Sequence, residues 1–113
     1  PPSGMSDAFT VAAAVKYAAD HGADVIKLSL GSSEPSEILA SALLDARQRG
    51  ITLVAAAGND GSENDPQFPA ILDEVVATTA IDLRGHKAVF SNFGDHIDVS
   101  APGVSLISAY PGC

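Results

Sequence analysis

The chain has 113 residues, enough for one modest domain and one core; a domain of that size buries only about 60–70% of the surface its unfolded form exposes. Apolar residues make up 46% of it but only six are aromatic (four Phe, two Tyr, no Trp), so the core has to be built from Ala, Val, Ile and Leu at close quarters. Fourteen acidic against six basic residues give a net charge of −8 with no basic stripe, which argues against a nucleic-acid partner; the acidic excess is that of a solvated surface.

Cys113 is the single cysteine, so neither an internal disulfide nor a Cys/His metal cluster is available. No run approaches about 18 apolar residues, and the opening PPSGMSD lacks the basic and apolar blocks of a signal peptide. No membrane contact is expected.

Along the chain, Ser6 is placed to cap a first helix over about 7–21, with Asp7 favouring the positive end of its dipole. Ala8, Ala12, Val15 and Ala19 recur at helical spacing, and Gly22 ends the run. Residues 23–30 form a short, β-branched strand pattern ending at Gly31. Ser33 or Ser36 can cap a second helix, with Pro35 suited to its first turn. Ile38, Leu39, Ala42, Leu43 and Ala46 give it a continuous apolar stripe.

Residues 51–57, bounded by Gly50 and Gly58, are too short for a core helix and read as a strand buried on both faces. Strand, helix and strand within about thirty residues make a βαβ unit with parallel strands and a right-handed crossover. Gly31 and Gly58 then share the carboxyl edge of the sheet, where open α/β sheets place their ligands. Residues 59–66 (NDGSENDP) are a loop, and 75–81 resume a strand. Residues 88–90, 97–100 and 104–109 are short extended candidates separated by Gly and Pro.

Three segments in order resemble the subtilase family of serine proteases: Gly22–Gly31 (GADVIKLSLG), Val54–Asn59 (VAAAGN), and Phe90–Gly94 (FSNFG) followed by Val99–Val104 (VSAPGV). The resemblance spans nearly the whole chain. It implies a partial subtilisin-like α/β fold, a parallel sheet with flanking helices, drawn from the middle and later part of a protease domain.

Peptide-bond hydrolysis passes through a tetrahedral intermediate whose oxygen gains negative charge, and a fixed donor must meet it. Asn59 carries such a donor just past a rigid strand, with Gly58 letting the backbone approach a substrate closely. By resemblance Asn59 is the oxyanion-hole residue. Ser29, Leu30 and Gly31 resemble the family's substrate edge, where an extended peptide pairs by β-augmentation, and Ala56, Ala57 and Gly58 the opposite wall.

The segment 68–75 (FPAILDEV) resembles one that holds a structural calcium or sodium ion through main-chain carbonyls, here those of Ala70, Leu72 and Val75. No cofactor is required for the chemistry. The acidic residues Asp60, Glu63 and Asp65 lack EF-hand spacing and read as a solvated turn.

The family's Ser, His and Asp triad motifs do not occur in these 113 residues. The resemblance puts the Asp and His segments before Pro1 and the Ser segment after Cys113, in an exported parent, so the chain alone is expected to be inactive. His21, His86 and His96 lie in a helix end and in turns, away from the family's triad, and Ser91 has no evident base. Lys27 departs from the small polar residue that the family favours there.

Partners expected on this reading are an extended polypeptide substrate, the remaining segments of the domain, and, through raw sheet edges, other copies of the chain. Two alternatives carry different expectations: a non-catalytic module of the same fold that binds peptides or a subunit, and an anion binder using Gly58–Gly61. The second lacks both a G-x-G-x-x-G turn and a Walker lysine.

Overall fold

A computed structural model describes residues 4–109. Helix α1 (Ala8–Asp20), strand β1 (Val25–Leu28), helix α2 (Glu37–Gln48) and strands β2 (Thr52–Ala56), β3 (Val75–Ile81) and β4 (Val99–Pro102) follow in that order. The four strands form one sheet in the order β1-β2-β3-β4, every neighbouring pair parallel.

Capping sets the helix starts and corrects two expectations. The residue at the α1 cap is Asp7, not Ser6: its extended backbone places the carboxylate to accept from the Thr10 amide at 2.8 Å and the Thr10 hydroxyl at 3.0 Å. At α2 the cap is Ser36, whose hydroxyl accepts from the Leu39 amide, so Pro35 precedes the cap and does not occupy the first turn.

Register decides which side chains enter the core. Ile26 pairs with Leu53 and Leu53 with Val75; Leu28 pairs with Ala55 and Ala55 with Ala77. These six residues are buried on one face of the sheet, in a single cluster with Ala12, Val15 and Ala19 of α1 and Leu39, Leu43 and Ala46 of α2. Ala at 19, 46, 55 and 77 lets helix and sheet approach closely, which is how a core almost without aromatics reaches interior density.

The other face carries the rows Lys27, Val54, Val76 and Ala56, Thr78, Val99, all half-buried or exposed. Residues 51–57 are therefore not a strand buried on both faces: β2 alternates, because both helices join the cluster on one face only. Lys27 stands exposed in its row, so no buried ammonium has to be paired.

Among the three late extended candidates, only part of 97–100 enters a strand, and that strand runs on to Pro102. Asp98 sets its register: its N–H donates to the Ala77 carbonyl at 3.0 Å and its carboxylate accepts from the Ala77 amide at 2.8 Å. Pro102 is tolerated because β4 lies at the sheet's edge. Residues 88–90 form a turn and 104–109 an irregular exposed stretch, with Ile107 fully exposed.

Arg49, just past α2, ties the two helices at their C-terminal ends, donating to the Asp20 carboxylate at 2.9 Å and to the Ala19 carbonyl at 2.9 Å. The side-chain hydrogen bond from Lys16, and then that from Arg49, hold the Asp20 carboxyl below its ordinary value of 3.8. A depressed folded-state pKa means that the ion pair contributes fully above the unfolded value and is lost as pH falls through the folded one.

Asp20→Asn is accordingly expected to lower stability at neutral pH and to flatten its decline below pH 3.8, as read from urea midpoints across an acid series. Leu43 has no exposed surface, and Leu43→Ala is expected to cost about 2–5 kcal/mol in chemical denaturation. The same truncation at Leu83, which is 85% exposed, should stay within about 0.5 kcal/mol.

Candidate active site

Parallel strands deliver their carboxyl ends to one edge of the sheet, and β1 and β2 end there side by side, Leu28 opposite Ala55. Ser29, Leu30 and Gly31 continue from β1; Ala57, Gly58 and Asn59 continue from Ala56, the last residue of β2. The two segments flank two hollows rather than one. Ser29, Ala56, Ala57, Gly58 and Asn59 line an open cavity of about 250 Å³ whose far wall includes Thr78. Leu30 and Gly31 face a second cavity of about 450 Å³ with Met5, Leu39 and Phe68, and Ser29 borders both.

Gly58 has φ +109°, a conformation costly for any residue with a Cβ. Space excludes one as well: a Cβ at Gly58 would collide with Asn92 Nδ2 and lie 2.9 Å from Gln67 Cγ. The chain thus turns out of β2 in a form open only to glycine. Beyond it Asn59 is exposed, and its side-chain amide makes no hydrogen bond among the described residues. A carboxamide so placed has its two N–H donors free for a ligand.

The loop that carries Asn59 keeps Asp60, Glu63 and Asp65 exposed, as expected of a solvated turn, but its main chain is held in place. It is zipped to residues 90–93 by main-chain bonds: Gly61 N–H to Phe90 O at 2.8 Å, Asn92 N–H to Gly58 O at 3.0 Å, Phe93 N–H to Ser62 O at 3.0 Å and Asn64 N–H to Phe93 O at 2.8 Å. Asn92 itself is fully buried.

Nothing in the composition of FSNFG distinguishes Asn92 from an ordinary turn residue, and sequence reasoning passed over it. Its neighbour Ser91 is also buried, paired with the Thr79 hydroxyl and accepting from the Ala80 amide, a structural role rather than that of a nucleophile. Thr78 Oγ1 in the cavity wall is buried without a hydrogen-bond partner among the described residues.

The three histidines stay apart from this edge chemically. His21 caps α1, stacks on Tyr17 and contacts the Tyr17 carbonyl through Nδ1 at 2.8 Å. His86 lies 3.6 Å from the Asp82 carboxylate. His96 Nε2 is buried with no hydrogen-bond partner among the described residues.

Ala70 and Leu72 belong to the segment leading into β3, and Val75 is its first residue, level with Leu53 at the amino end of the sheet and so remote from Asn59. The oxygens there are main-chain carbonyls, that of Leu72 already accepting from the Val75 amide at 2.9 Å. Among the described residues no group of three or more His, Cys, Asp or Glu converges on a point. A hard cation draws on several oxygens, usually including carboxylates.

Known proteins resemble this chain in sequence and in fold. Subtilisin DY from Bacillus licheniformis is 40% identical over 112 residues, an alignment covering 96% of this chain and 41% of that protein. The thermophilic serine proteinase of Bacillus sp. (strain AK1) is 44% identical over 102 residues, covering 90% of this chain and 25% of that protein. Among solved structures, the prenylagaramide maturation protease PagA superposes with a TM-score of 0.85 at 30% identity, over 96% of this chain and 41% of that one. The chain therefore spans well under half the length of these relatives. Residues 2–112 match the Subtilase family, and with the parallel sheet and the ordered segments at its carboxyl edge this chain belongs to that family.

Proposed function

We propose that these residues supply the oxyanion donor and part of the substrate cleft of a subtilisin-like serine endopeptidase. The observation that carries the reading is Asn59: an exposed carboxamide just beyond the carboxyl end of β2, on a loop fixed by main-chain bonds on either side of it. In acyl transfer the scissile carbonyl oxygen becomes negatively charged, and a donor already in place stabilises it without reorganising. Asn59 Nδ2 is that donor on this reading. The cavity beside it, walled by small residues at 56–58 and by Ser29, takes the side chain preceding the scissile bond.

The extended peptide lies along Ser29, Leu30 and Gly31, pairing with a strand end whose neighbours are already hydrogen-bonded within the sheet. A polypeptide substrate also suits the solved relatives, one of which, the PatG macrocyclase, was determined in complex with peptide. The nucleophile, base and orienting acid come from other segments of the protease, which seat on the open sheet face bearing Val54, Val76 and Thr78. Binding and charge stabilisation are what this chain contributes to the barrier.

In the complete protease, Asn59→Ala is expected to lower kcat with KM little changed. The expected loss is about 10²–10³-fold, the figure already established for the oxyanion-hole asparagine of subtilisin. A kcat within twofold of the parent enzyme would remove Asn59 from the mechanism. The isolated 113-residue chain should remain unlabelled by a fluorophosphonate, and stoichiometric labelling would show that it holds a nucleophile of its own.

A further inference from the structure

The buried carboxamide of Asn92 holds the loop on both sides of Asn59 without hydrogen-bonding to Asn59 itself. Its Nδ2 donates to the Ala57 carbonyl at 3.1 Å. Its Oδ1 accepts from the Asp60 amide at 2.9 Å and the Ser62 amide at 3.1 Å. The amide's orientation follows from its partners, because a carbonyl faces one end and two N–H groups the other. Main-chain bonds add to the bracket: Asn92 N–H donates to Gly58 O, and Asn92 O accepts from the Thr79 hydroxyl at 2.7 Å, which anchors the whole unit to β3.

We infer that Asn92 is a positioning residue for the oxyanion donor: it fixes the backbone at 57, 60 and 62 and thereby aims the Asn59 carboxamide. The inference rests on the oxyanion reading of Asn59. Three features favour positioning over mere filling of space. All three hydrogen-bonding partners of the side chain lie within three residues of Asn59 and on both flanks of it. Asn59 has no hydrogen bond of its own among the described residues, so its direction is set through its backbone. Gly58, whose φ of +109° turns the chain toward Asn59, has no room for a Cβ because Asn92 Nδ2 occupies that space.

A carboxamide suits this post because one group must offer both a donor and a two-fold acceptor. Serine cannot span the partners, and aspartate loses the donor to Ala57. Preorganisation of this kind acts on the transition state, since a donor displaced by about 1 Å costs up to about 10²-fold in rate while ground-state binding is spared.

The test is a double-mutant cycle in the complete protease with a chromogenic peptide anilide, folding being checked by circular dichroism. Asn92→Ala is expected to lower kcat about 10- to 100-fold with KM within about twofold, and to have no further effect on kcat in the Asn59→Ala background. Asn92→Asp, which keeps an oxygen to accept from the Asp60 and Ser62 amides, should recover part of the loss. If the alanine variant does not accumulate folded, Asn92→Asp is judged by the same two criteria, kcat lowered at constant KM and no effect once Asn59 is gone. A folded variant with parental kcat, or an equal loss in both backgrounds, would overturn the inference. Asn59→Ala that leaves kcat intact would instead defeat the oxyanion reading, so the two failures are distinguishable.

Discussion

Leu53 of β2 pairs with Ile26 on one side and Val75 on the other, and that parallel register commits alternate side chains of three strands to a single buried face. A slip of one residue would turn Lys27, Val54 and Val76 into the helix layer and expel Leu53 and Ala55. The same register aligns the carboxyl ends of β1 and β2, so Ser29 and Asn59 end up bordering one cavity. Core and cleft are two consequences of one pairing pattern.

Small side chains serve both ends of that pattern. Ala46, Ala55 and Ala77, all essentially without exposed surface, let α2 lie close on the sheet. Ala56 and Ala57 leave space at the carboxyl edge. A run of alanines that would be unremarkable as composition is used in alternate directions, inward for density and outward for room. The cost is that little bulk remains on the second face, whose rows through Val54, Val76 and Thr78 stay half-covered.

Rigidity at the edge comes from a different source, the polar links between residues 57–64 and 90–95. Loops cannot be fixed by apolar burial without stranding main-chain groups, and here a buried carboxamide and four main-chain bonds satisfy those groups while leaving Asn59 outside. The Asp98 contacts with Ala77 apply the same device to β4, where a carboxylate sets the register of an exposed edge strand.

The sequence alone determined both helices, the first three strands, their parallel arrangement and the family, because 3.6-residue periodicity, short apolar runs between glycines and three ordered motifs are local signals. It misplaced the α1 cap by one residue, at Ser6 instead of Asp7, since adjacent polar residues compete for one post on equal chemical terms. It read β2 as covered on both faces, because an apolar run does not say what lies across from it. Only the tertiary structure decided which late segment paired with β3, that Ser29 divides two cavities, and that Asn92 grips the loop around Asn59. Each of those depends on contacts between residues some 20 to 35 positions apart, and a hydrogen bond to a distant main-chain group leaves no pattern in the sequence around either partner.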